Sequence, residues 1–217
     1  REATAGGKVP FMAKAAAPVA PDPARPWTFV RGPGFIQPPE RDRPAGPLLS
    51  VHLLGQLKVR LDEVAVADWP SGRGRSLFKY LVTHRDPWPR REQLMDAFWP
   101  EAAPAAARNS LNVAVHGLRR AFREVARGPV VVLEDGSYRL GPQLRLWLDT
   151  DEFERHVARG RRRDAAGDPA GAAAEYERAL ALYQGDFLAD DPYEDWPVMT
   201  REHLLLAYLD VLDRLGD

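Results

Sequence analysis

An α+β module followed by an all-α module is the architecture that this 217-residue sequence predicts. Three observations carry it. Short alternating strands begin near residue 48, three helix-length apolar patterns separated by prolines follow, and a hairpin signal closes that half. A strongly acidic run of helical periodicity then occupies the rest. Residues 1–47 carry 7 Lys/Arg against 4 Asp/Glu, residues 48–149 carry 15 against 11, and residues 150–217 carry 8 against 16. A mildly basic middle beside an acidic end is the asymmetry expected when one module faces nucleic acid and the other does not.

Composition narrows the function classes. At 45% hydrophobic and 28% charged, the chain can bury a sizeable core. The 30 basic and 31 acidic side chains nearly cancel, so the molecule as a whole is not a polycation. It has no cysteine, which excludes a disulfide scaffold, thiolate zinc and thiol catalysis and fits a reducing cytoplasm. No run approaches the ~18 apolar residues of a membrane span, no segment resembles a signal peptide, and no membrane partner is expected. The start at Arg1 instead of Met reads as a processed end or as a piece cut from something longer.

Ten of the 20 prolines fall in residues 1–47, and Ala/Pro runs there favour extended chain, so this stretch reads as a linker or tail. Trp27, Phe29 and Phe35 interrupt it. Two readings stand for them: docking on a neighbouring surface, or packing on the protein's own sheet.

Residues 48–148 form the α+β module. Leu49 to Leu53 and Leu57 to Leu61 alternate apolar with polar around a turn at Gly55, and Val64 to Val66 gives a third short strand. Ser71 is suited to cap a helix whose Leu77, Phe78, Leu81 and Val82 share a face and which stops before Pro87. A second helix opens after Pro89, carries Leu94, Met95 and Phe98, and breaks at Pro100. The third runs from about 105 to 123. Leu111, Val115, Leu118 and Phe122 recur there at i, i+4, i+7 and i+11 and form its core stripe. Its opposite face holds Asn109, Asn112, Val113, His116 and Arg120, with Arg123 beside it and Arg108 and Arg119 flanking the stripe. Asn and Arg bond bidentately to adenine and guanine edges in the major groove; an ordinary solvated face is the plain alternative. Val130 to Leu133, a turn at Asp135 and Gly136, and Tyr138 to Leu140 make a hairpin.

Three helices followed by a hairpin is a winged helix, in which the third helix enters the major groove and the hairpin tip lies along the backbone. On that fold Asn109, Asn112, His116 and Arg120 are the expected base readers. Arg73, Arg75, Arg90, Arg108 and Arg123 are the expected phosphate contacts, several of them at helix starts.

The runs Arg90–Pro100 (RREQLMDAFWP), Ala107–Phe122 (ARNSLNVAVHGLRRAF) and Gly136–Leu140 (GSYRL) resemble the OmpR-type winged helix. More narrowly, residues 48–217 resemble the SARP-type activators, which join that domain to a helical bacterial transcriptional activation domain. The resemblance implies that the third helix reads a direct repeat, with a homodimer on it, and that the loop Trp99–Ala107, with Trp99 and Glu101, faces RNA polymerase. Two features depart from the pattern: the wing tip Glu134 and Asp135 is acidic, and Gly117 sits inside the third helix, at about 1 kcal/mol against alanine.

Residues 149–217 are expected to be an all-α, tetratricopeptide-like activation domain. Thr150 or Asp151 is suited to cap its first helix, and Phe153 and Val157 begin the apolar face. The second helix carries Ala173, Tyr176, Leu180 and Tyr183, and the segment 167–180 has the spacing of a tetratricopeptide unit. A third helix holds Val198, Leu205, Leu209 and Leu212, after a loop at 187–196 that mixes acids with aromatics. Such repeats bury their faces by stacking, usually three or more, so an end at Asp217 reads as a truncation. Four arginines within 159–163 are read as a solvated helix face, with a second phosphate or acidic-partner contact as the alternative.

Enzyme readings find no support. The five histidines show no ligand spacing, and neither a P-loop nor a G-x-S-x-G elbow occurs. No catalytic residue, cofactor or metal is expected. The expected function is sequence-specific transcription regulation, with double-stranded DNA and RNA polymerase as partners. The alternatives are a protein–protein scaffold whose winged helix has lost DNA binding and a small-molecule-sensing repeat.

Overall fold

Alternating apolar side chains set the first sheet in the computed structural model, which describes residues 46–69 and 72–216. The expected tail lies outside these apart from Gly46 and Pro47, as do the aromatic run at 27–36 and the expected cap Ser71. β1 (Leu48–His52) pairs antiparallel with β2 (Lys58–Leu61), and β2 with β3 (Val64–Ala65). Leu49 faces Leu61 and Val51 faces Val59, all four buried on one side of the sheet.

Three helices pack next. α1 (Gly72–Thr83) stops short of Pro87, α2 (Arg91–Phe98) ends just before Trp99 and Pro100, and α3 (Pro104–Ala121) has Pro104 at its first position and ends two residues before the expected 123. The expected stripes are the core: Leu77, Phe78, Leu81, Leu94, Leu111 and Leu118 are all fully enclosed. Each such side chain contributes about 1.5–3 kcal/mol. Phe78, Phe122 and Trp69 meet with ring centroids 5.3–5.7 Å apart. α1 crosses α3 at very close range. A Cβ at Gly74 would stand 2.8 Å from the Leu118 nitrogen and 3.1 Å from the Ala114 oxygen. Gly117 is buried on α3 beside these contacts. It is therefore a packing residue, and its helix-propensity cost accompanies the close crossing.

β4 (Val131–Glu134) and β5 (Ser137–Leu140) form the hairpin, with Asp135 and Gly136 both at positive φ as a tight two-residue turn requires. Its tip is tied to the start of α2, where the Arg91 N–H donates to the Gly136 carbonyl and the Tyr138 N–H to that of Pro89, each 3.0 Å. The module is a winged helix. A further strand, absent from the expected elements, is β6 (Arg145–Leu148). It runs parallel to β1 and completes a sheet of order β3-β2-β1-β6.

α4 (Asp149–Ala165), α5 (Pro169–Leu182) and α6 (Val198–Gly216) make the helical module. α4 and α5 pack closely because Gly160 leaves room for the Tyr176 ring; a Cβ there would lie 2.2 Å from it. The Tyr176 hydroxyl donates to Asp164 at 2.6 Å, and Asp168 caps α5 by accepting the Gly171 N–H. Three expectations are corrected here. The cap of α4 is neither Thr150 nor Asp151, because helical geometry begins at Asp149 and Asp151 instead pairs with Arg85 at 2.5 Å. On α5 the buried row is Ala172, Tyr176, Ala179 and Leu182, with Ala173 and Leu180 only half-buried. On α6, Leu204 and Val211 are buried while Val198, Leu205, Leu209 and Leu212 stay 37–43% exposed. Leucines occupy both sides of that helix, so periodicity alone does not choose its inward face.

The two modules are joined without a linker. β6 runs directly into α4, and the first residue of that helix, Asp149, is wholly enclosed. Its carboxylate accepts the backbone N–H of Leu53 (2.8 and 2.9 Å), Leu54 (2.9 Å) and Thr150 (2.9 Å), with His52 Nδ1 3.7 Å away. Burial pushes the carboxyl up to about 7, against the downward pull of the Leu54, Leu53 and Thr150 donors. The loop after α5 docks on the same strand end. Leu54 bridges Phe187, the Leu188 N–H donates to the Leu53 carbonyl at 2.8 Å, and the Gly55 N–H to that of Asp186 at 3.0 Å. Replacing Asp149 by Ala strands buried N–H groups, at about 1–3 kcal/mol for each left unmet. Urea denaturation should show a loss of about 2–4 kcal/mol. A loss below about 0.5 kcal/mol, as at an ordinary surface site, would show that other acceptors replace the carboxylate.

Candidate nucleic-acid interface

The geometry of α3 sorts its polar residues into two groups. Asn109, Asn112, His116 and Arg120 are all exposed, on the side opposite Leu111, Val115 and Leu118, with Val113 61% exposed among them. The structure thus brings the four expected base readers onto one open face. Arg108 is exposed nearer the start of the helix. Arg123 falls just beyond the helix end, in turns continued by the bonds from the Arg123 N–H to the Arg120 carbonyl and from the Ala126 N–H to that of Phe122. Arg119 does different work. Its guanidinium donates twice to the Val131 carbonyl, at 3.1 and 3.0 Å, and so fastens β4 to α3.

The arginines of α1 are directed elsewhere. Arg75 pairs with Asp190 of the helical module, and Arg73 approaches Glu194 at 3.9 Å. Lys79, 1% exposed, reaches Asp191 at 2.5 Å and Asp190 at 3.7 Å. Arg85 forks onto Asp151 at 2.6 and 2.5 Å. The expected phosphate role of Arg75 therefore meets a competing partner inside the protein, and that of Arg73 a weaker one. Aromatic contacts reinforce this junction. Trp196 packs edge-on to Tyr80 and His84, with centroids 5.2 and 5.4 Å away. Burial there holds the His84 pKa below its ordinary value, with the Tyr80 carbonyl pulling it back up.

Arg90 is exposed beside the hairpin tip, its N–H bonded to Gln93 Oε1 at 2.7 Å. Of the expected polymerase-facing pair, Glu101 is exposed, while Trp99 is half-buried with its ring 5.7 Å from Phe98. The exposed part of that loop is Pro100, Glu101 and 103–106. The arginines of α4 are not a free solvated row: Arg159 pairs with Glu175, Arg161 with Asp210 and Arg163 with Asp168. Burial pushes the Glu175 carboxyl up, and the His156 and Arg159 side chains outweigh it to leave its pKa lowered.

What remains is a concentration of unneutralised cations. Arg90, Arg108, Arg120, Arg123 and Arg127 have no carboxylate within ion-pair range among the described residues, while the cations of α1 do. Arg127 is absent from the expected site, because it follows the helix; its signal is the four-residue step from Arg123. Among the described residues no three His, Asp or Glu side chains cluster as metal ligands, and no helix is long and apolar enough to cross a membrane.

Comparison with known proteins agrees with this architecture. A winged helix followed by a helical repeat defines a class of transcription-regulator domain pairs, and both halves match such families. Residues 70–140 match the transcriptional regulatory protein C-terminal family, and residues 148–217 match the bacterial transcriptional activator domain. The two domains occur in the order found in SARP-type regulators. A solved structure of Mycobacterium tuberculosis EmbR, in complex with a low-affinity phosphopeptide, superposes with a TM-score of 0.64 at 23% identity. The match covers 76% of this chain and 44% of that one, so the present chain corresponds to less than half of EmbR and the likeness is one of fold. No curated protein sequence matches the chain.

Replacing Asn109, Asn112, His116 or Arg120 by Ala should change stability by no more than about 0.5 kcal/mol, as at other exposed sites. Arg119→Ala should cost about 1–2 kcal/mol, since it leaves the Val131 carbonyl without its charged donor. Thermal unfolding of the five variants checks the division, and a large loss at Arg120 would place it in the scaffold.

Proposed function

We propose that this chain is a sequence-specific DNA-binding transcription regulator that acts as an activator in the cytoplasm. α3 reads the major groove, with Asn109, Asn112, His116 and Arg120 at base edges and Arg90, Arg108 and Arg123 on phosphates. The observation that carries the reading is the distribution of free cations. Carboxylates occupy Arg75 and Lys79 of α1, and Arg85 just after it, at the domain junction and leave the exposed face of α3 with Arg108 and Arg120 available. The exposed loop around Glu101, next to the same helix, is proposed to meet RNA polymerase, as the SARP resemblance implies. Two copies on directly repeated half-sites would place two such loops side by side.

A second reading has one observation in its favour. The wing tip is Glu134 and Asp135, with Glu134 paired to Arg139, where a phosphate contact favours cations. A scaffold that no longer binds DNA would tolerate such a tip.

Selection on a random duplex pool at near-physiological salt separates the two. An enriched, directly repeated motif is expected, and retention without a motif that vanishes with salt would favour the scaffold. Against the selected site, Arg120→Ala should lose about 1–3 kcal/mol and relax choice at one base pair. Equal loss on every sequence would remove its base-reading role. Arg90→Ala should weaken all duplexes alike and lower the salt slope by about one unit.

A further inference from the structure

The row of polar residues on α3 does not stop where the helix does. His116, Arg120 and Arg123 follow one another at four and three residues, and Arg127 continues four residues later on the turns that lead into β4. With the chain bending at Gly128 and Pro129 towards Val130, these side chains line a groove of about 330 Å³, together with Arg119 and the apolar floor of Phe122, Ala126 and Val130. Four arginines and a histidine line it, and no acid does. Arg119 is engaged with the Val131 carbonyl, but Arg120, Arg123 and Arg127 have no carboxylate partner among the described residues. The groove sits at the carbonyl end of a helix, where the partial negative charge makes a gathering of arginines tolerable in the absence of a ligand.

Dimensions decide what such a groove meets. From Asn109 to Arg120 the helix rises about 16 Å, whereas the major groove of B-DNA is about 12 Å wide. If the face of α3 reads bases, the residues past Arg120 have left the base edges and stand against the sugar–phosphate wall. The wing is poorly equipped for that contact, since its tip is acidic, Arg139 is held by Glu134, and the turn is tied back to Pro89 and Arg91 at the start of α2.

We propose that Arg123 and Arg127, in the groove at the end of α3 just past the base-reading Arg120, bind a backbone phosphodiester of the DNA and supply the flanking phosphate contact that the acidic wing tip does not. This rests on the reading of α3 as the DNA-facing helix. Arg127 is the discriminating residue, because it is exposed, lies outside the base-reading row and takes no part in the core.

The test measures duplex binding of the full chain by fluorescence anisotropy from 0.1 to 1 M salt, on the selected site and on a scrambled duplex. Arg127→Gln should weaken both duplexes about eightfold at 0.1 M salt and lower the slope of log K against log salt by about 0.9, the two proteins converging near 1 M. Base preference should be unchanged, unlike in Arg120→Ala. If the wild type binds and Arg127→Gln matches it in affinity and slope, the phosphate site is wrong while the base-reading assignment stands. If the wild type binds no duplex, both fall together. Titration with inorganic pyrophosphate separates the remaining source of phosphate chemistry. Tight pyrophosphate binding that Arg127→Gln abolishes, with duplex affinity intact, would assign the groove to a free polyphosphate ligand and overturn the DNA assignment.

Discussion

The carboxylate of Asp149 takes the backbone N–H groups of Leu53, Leu54 and Thr150 in a place closed to water, and the arrangement of the rest depends on that choice. Leu53 and Leu54 directly follow the first strand and would otherwise carry unmet donors where the chain leaves the sheet. Asp149 opens the first helix of the second module, where an acidic side chain is favoured by the free N–H groups of the first turn. One side chain thus completes a sheet edge and a helix start belonging to different modules. Parallel pairing of β1 with β6 brings them together, since the last strand of the winged helix delivers Asp149 to the end of β1. Leu188, held at φ +53° beside the same strand, shows that the returning loop is also constrained to fit.

Around this junction the charges divide. The acidic loop at 186–195 carries Asp190, Asp191 and Glu194 onto α1 and takes up Arg75, Lys79 and, more loosely, Arg73. Lys79 is so deeply enclosed that removing its acids would leave an uncompensated buried charge, a far costlier state than a broken surface pair. The −9 balance of residues 149–217 and the +5 of residues 48–148 are therefore partly a matter of the two modules holding each other. Subtracting those pairs sharpens the remaining field: the positive charge left over in the winged helix gathers on the open side of α3 and just past its end.

Much of this is legible in the residues, and the exceptions have physical causes. The stripe Leu111, Val115, Leu118 and Phe122 determines α3 because a single apolar face can only turn inward, and the exposure of Asn109, Asn112, His116 and Arg120 follows from it. Leu144, Leu146 and Leu148 alternate as a strand should, yet β6 escapes recognition because its partner lies about a hundred residues away. α6 reads inside out because leucines populate both of its sides. Arg75 looks like a phosphate contact because a sequence shows a cation at a helix start but not the aspartate 115 residues later that meets it. Gly117 looks like a flaw in α3 until Gly74 stands opposite it. In each of these cases the missing information is a long-range contact.

Joining without a linker also bears on how a regulator of this kind would work. A flexible tether lets two modules search independently, and each then loses its freedom on binding. Here the strand-to-helix passage at Leu148 and Asp149, the ion pairs on α1 and the Trp196 contacts fix the helical module against the winged helix before any partner arrives. On the proposed function, placing α3 in the groove would then set the position of the Glu101 loop and of the helical module in the same step, at no further cost in orientation. On that reading, the surface offered to DNA and the surface offered to polymerase stand in one fixed relation, set by the contacts of the junction.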